Sequence, residues 1–90
     1  MSIPPGFIRE RKFDSKLKLI SKSYRRLDEL DRAIEWALQH NPKQFYNICG
    51  EFYVWKTEGT FKEFPQLRIL YRFSESENMI ILIDAEMVEG

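Results

Sequence analysis

Residues 13–40 read FDSKLKLISKSYRRLDELDRAIEWALQH. Apolar side chains recur at Phe13, Leu17, Ile20, Tyr24, Leu27, Leu30, Ile34 and Leu38, always three or four positions apart. That spacing lays one apolar stripe along an α-helix. No Gly or Pro interrupts residues 14–39. Asp14 or Ser15 can cap the start, and His40-Asn41-Pro42 supplies a stop, with His suited to the negative helix end and Pro unable to continue. One straight helix of this span would be roughly 40 Å long, whereas a domain of this size is only about 30 Å across. The stretch is therefore expected to fold back at the polar Ser21-Lys22-Ser23. The result is a helical hairpin whose second helix runs from about Tyr24 to His40.

The flanks differ in kind. Ile3-Pro4-Pro5-Gly6 cannot lie inside a helix, so residues 1–6 read as an extended lead-in, and residues 7–13 as a short edge strand. Beyond Pro42, Gly50 punctuates the chain, and residues 51–56 hold Phe52, Tyr53, Val54 and Trp55, a β-rich composition. Residues 57–66, with Gly59 and Pro65, read as a connection. Leu67–Phe73 alternates, with Leu67, Ile69, Tyr71 and Phe73 on one face and Arg68, Leu70 and Arg72 on the other. After the polar residues 74–78, the stretch 79–85 is apolar on both faces, as a covered central strand would be. The fold class is α+β: a short N-terminal strand, a helical hairpin, then a three-stranded antiparallel meander, with the helices packed on one curved sheet. At 90 residues the chain is read as one domain spanning 1–90, with residues 86–90 as an acidic tail.

Composition narrows the function. The formal net charge is zero, but residues 1–26 carry +6 and the remainder −6; from Ser74 onward there are five acids and no base. Such a chain can present a basic face to phosphate, or its halves can neutralise each other in the fold. One Cys and one His leave no disulfide, no His-pair metal site and no Cys-rich one. No glycine-rich phosphate loop is present, so no cofactor or metal is expected. Cys49 is read as a packing residue rather than a nucleophile. The longest apolar run, residues 79–83, is too short to span a bilayer, and basic residues at 9, 11 and 12 replace any apolar leader. No membrane contact and a cytoplasmic location are expected.

The candidate site is cationic and aromatic. Arg68 and Arg72 share the polar side of one strand; Lys56 ends the preceding one, where Tyr53 and Trp55 share a face. Cations beside rings are what single-stranded nucleic acid binding uses, charge against phosphate and ring against base. The competing reading is that these rings fill the core and the arginines meet carboxylates. Trp36, two positions from Ile34 and off the main apolar stripe, is a candidate partner-binding residue, or else it widens the buried stripe. A homodimer is compatible with that surface, although no residue pattern requires it.

Element order and residues together resemble a known group. Phe13-Asp14-Ser15-Lys16-Leu17, Tyr24–Leu38 ending in Asn41-Pro42, Phe52–Lys56, Leu67-Arg68-Ile69-Leu70-Tyr71-Arg72-Phe73 and Met79–Ile83 resemble the RelE/ParE superfamily of bacterial toxins over roughly residues 7–85. The resemblance implies a type II toxin–antitoxin toxin with a cognate antitoxin as partner. It would cleave messenger RNA on the ribosome or poison DNA gyrase. Cleavage needs a base for the ribose 2′-OH, cations for the phosphorane and an acid for the leaving oxygen. The resemblance assigns Arg68 to phosphate stabilisation and makes Lys56 the candidate second catalytic cation. The chain departs from the family pattern after the last strand, where Asp84-Ala85-Glu86-Met87-Val88-Glu89-Gly90 offers neither cation nor ring. That departure favours an alternative: a toxin-fold protein acting as a non-enzymatic protein-binding module.

Overall fold

A computed structural model describes residues 3–21, 27–57 and 66–88. In chain order the elements are β1 (Gly6–Arg9), α1 (Arg11–Ser21), α2 (Leu27–His40), β2 (Tyr46–Cys49), β3 (Phe52–Lys56), β4 (Leu67–Ser74) and β5 (Met79–Met87). The strands form one five-stranded sheet in the order β1-β5-β4-β3-β2. Strand β1 pairs with β5 in parallel, and every other pairing is antiparallel. The α+β architecture with helices on a sheet agrees with the sequence reading, but the meander has four strands, not three. The bend expected at residues 21–23 lies largely outside the described residues, as does Tyr24.

The apolar stripe folds as its spacing requires. Phe13, Leu17 and Ile20 of α1 and Leu30, Ile34 and Leu38 of α2 are buried against one face of the sheet. There they meet Tyr53 and Trp55 of β3, Leu67, Ile69, Tyr71 and Phe73 of β4, and Ile80, Leu82 and Ala85 of β5. The N-terminal strand is shorter than expected and the helix starts earlier. Glu10 N–H donates to the Leu82 carbonyl at 2.9 Å, closing the β1 pairing, and its own carbonyl accepts from Asp14 N–H at 3.2 Å, opening α1. Phe13 thus belongs to the helix, where its ring completes the stripe. Arg9, the last residue of β1, bridges the layers: it lies 3.2 Å from Asp14, 3.0 Å from Asp31 and 3.2 Å from Glu35.

Strand β5 is central, as its two-faced apolarity implied, and it runs on to Met87. It carries a bulge. Leu70 faces Asp84 whereas Tyr71 faces Leu82, so Ile83 is an extra residue. The bulge reverses the alternation of side chains. Without it Asp84 and Glu86 would point inward beside Ile80 and Leu82; with it, they share the open face with their register partners Leu70 and Arg68. No helix among the described residues is long and apolar enough to cross a membrane.

Candidate functional site

The open face of the sheet carries the charged residues. Arg68 is flanked in register by Lys56 on β3 and Glu86 on β5. Its guanidinium Nη1 lies 3.7 Å from the Glu86 carboxylate. Lys56 is exposed and has no ion-pair partner among the described residues. Arg72 lies four residues along β4, roughly 13 Å away at the strand rise, opposite Phe52 and Ile81, and pairs with Glu51 at 3.7 Å. The structure therefore joins Lys56 to Arg68 and sets Arg72 apart.

Tyr53 and Trp55 are buried, as the core-filling reading of these rings had it. They are only 8% and 3% exposed. Tyr53 stacks on Tyr71 with centroids 5.3 Å apart, and Trp55 stacks on Phe45 at 4.6 Å. Tyr53 is spent on the core and does not line the groove beside the cations, whereas Trp55, though nearly buried, still lines it. The exposed ring near the cations is Tyr46 of β2, 75% exposed. With Ile48, Val54, Trp55, Lys56 and Arg68 it lines a groove of about 690 Å³. The sequence signal for β2 was Gly50, which takes a positive φ of 54° in the two-residue turn to β3. Cys49 also lies on β2 and is exposed, contrary to the packing role expected of it.

A second missed set comes from α1. Strand β1 pairs only with residues 79–82, so the later part of β5 has an open edge. Lys12 and Lys16 reach it: Lys12 lies 3.3 Å from Asp84, and Lys16 lies 3.7 Å from Asp84 and 4.0 Å from Glu86. Asp84 is held further by Ala85 N–H at 2.9 Å. The opposed charges of the two halves of the chain thus meet here, as the neutralising reading of the charge asymmetry anticipated. Trp36 is 63% exposed on α2, its ring 4.0 Å from that of His40, and His40 Nδ1 lies 2.8 Å from the Trp36 carbonyl.

Chemically, the groove offers two adjacent cations over an apolar floor. That arrangement holds an anionic group by charge and a flat or apolar group by contact. His40 and Cys49 do not line the groove, and no group of three His, Cys, Asp or Glu among the described residues could hold a metal.

No protein-family model and no curated protein matches the chain. Solved structures do. The intact E. coli RelBE toxin–antitoxin complex aligns with a TM-score of 0.67 at 10% identity, covering 96% of this chain and 99% of that one. The Mycobacterium tuberculosis RelBE2 toxin–antitoxin complex aligns at 0.71 and 11%, covering 96% and 100%. A metal-bound toxin from Helicobacter pylori aligns at 0.54 and 19%, covering 94% of each. Matching these structures over nearly the whole of both chains, the protein has the RelE-like toxin fold.

Proposed function

We propose that this chain is the toxin component of a type II toxin–antitoxin module, held inactive by a cognate antitoxin and acting on translation or on DNA gyrase. The observation that carries the reading is the Lys56–Arg68 pair set in an open groove of a RelE-like sheet. Arg68 would steady the phosphate of a bound RNA, with Lys56 as the second cation and Tyr46 as the ring beside them. Arrest through messenger RNA cleavage on the ribosome or through gyrase are the two forms this reading takes.

Two observations favour a second reading, a toxin-fold protein that binds without cleaving. Glu86 already pairs with Arg68, and neither His40 nor Cys49 lines the groove to serve as a base. Induced expression in a bacterium separates the readings. Growth arrest relieved by Arg68→Ala, with RNA cut on programmed ribosomes by the wild type only, supports the nuclease. Arrest with DNA damage and intact messenger RNA identifies gyrase as the target. Absence of arrest leaves the binding module.

A further inference from the structure

Lys56, Arg68 and Glu86 are register partners on three adjacent strands, so they form a row across the open face with steps of about 5 Å. Lys16 of α1 extends that row past the β5 edge, 4.0 Å from Glu86, and Lys12 stands beside it on Asp84. Read across the sheet, the order is cation, cation, carboxylate, cation. The two carboxylates are held differently. Asp84 is only 13% exposed in its side chain and is fixed by two lysines and a backbone N–H. Glu86 is half exposed and touches its two cations only at 3.7 and 4.0 Å. It sits between Arg68 and Lys16 without a close bond to either, the position a bridging phosphate would take.

We infer that Glu86 is a built-in stand-in for phosphate, and that the row from Lys56 to Lys16 is a track for single-stranded RNA whose backbone displaces it. The groove decides the strandedness. It opens beside Lys56 and Arg68, its floor is apolar, and its exposed ring is Tyr46; an unpaired base can enter it, a paired one cannot. On binding, Glu86 swings into solvent, and Lys16 and Arg68 exchange one carboxylate for phosphate oxygens. The track adds Lys12 and Lys16 to the Lys56–Arg68 site of the proposed function, but it does not depend on toxicity.

The test is fluorescence anisotropy of the full chain with a labelled twelve-nucleotide oligouridine across a salt series. Glu86→Gln is expected to tighten binding about fivefold. Lys16→Gln is expected to weaken it about threefold and to lower the magnitude of the log–log salt slope by about 0.7, the value of one phosphate contact on a single strand. Glu77→Gln makes the same change in net charge in the β4–β5 turn and is expected to leave affinity within twofold. Thermal melts accompany each variant, and all three positions are exposed or half-exposed, so the fold is kept. Equal tightening by Glu77→Gln, indifference to Glu86→Gln or Lys16→Gln, or equal binding of duplex RNA would each overturn the inference. Binding as described without growth arrest would keep it and sink the toxin reading; arrest with binding indifferent to Glu86→Gln would do the reverse.

Discussion

The Tyr71 hydroxyl, on a fully buried side chain of β4, donates a 2.6 Å hydrogen bond to the carbonyl of Pro42, just past the end of α2. The contact ties the helix layer to the sheet. Tyr71→Phe removes the donor and leaves a carbonyl in the core margin, so it is expected to cost about 1–2 kcal/mol in chemical denaturation. Burial first, and then the neighbouring Tyr53, push the Tyr71 phenol well above the ordinary tyrosine range. The unfolded chain therefore sheds this proton first. The contribution is whole below about pH 10 and declines as pH climbs beyond it, by up to about 1.4 kcal/mol per unit. The wild type should lose stability above that pH, and Tyr71→Phe should lose less over the same interval.

Arg9 faces three carboxylates. Burial alone would lower its pKa, but Asp31, Asp14 and Glu35 outweigh that and raise it. The guanidinium also lies 5.5 Å from the centre of the Phe13 ring. Arg9→Met keeps the aliphatic stem and leaves the three acids facing one another. A loss of about 1–3 kcal/mol is expected, shrinking in high salt as their repulsion is screened. A loss that is the same at 0.05 and 1 M salt would place the effect in packing instead.

Trp36 tests the partner surface. Because it is mostly exposed, Trp36→Ala should change stability by no more than about 0.5 kcal/mol. If α2 presents this ring to an antitoxin, co-purification with that partner should fall at least tenfold. An intact complex would remove Trp36 from the interface, and an unfolded variant would reassign it to structure.

The bulge at Ile83 makes a sharper prediction. Deleting Ile83 removes the extra residue, so Asp84 follows Leu82 directly, still opposite Leu70, and both Asp84 and Glu86 keep the open face. The deletion should therefore keep cooperative unfolding at a cost of about 1–3 kcal/mol in denaturant melts; loss of the cooperative transition would show that the bend of β5 at the bulge is itself needed for the fold. Replacing Ile83 by Val keeps the register and should cost only about 1 kcal/mol.

The same residues mark where sequence reading succeeds and fails. The helical stripe from Phe13 to Leu38 was legible because eight apolar positions keep one period, and Leu67–Phe73 because its alternation is unbroken. Strand β3 was legible as a strand but not in its facing: Phe52-Tyr53-Val54-Trp55 is aromatic or apolar at every position, so no pattern says which rings go inward. Strand β2 escaped because all four of its residues are exposed and no apolar face announces it. The contacts of Lys12 and Lys16 escaped for another reason. They arise from a helix laid beside a distant strand edge, which a charge count can suggest only as a balance between halves.

Strand β1 finds its parallel partner 73 positions downstream, Gly6 opposite Met79. On the ribosome, then, β1 must wait for β5. Until residues 79–82 leave the exit tunnel, β1 has no neighbour and the β4 flank lies bare. A nascent chain cannot complete this sheet until β5 is free to pair, so the row from Lys56 through Arg68 to Glu86 is assembled only after residues 79–87 have emerged.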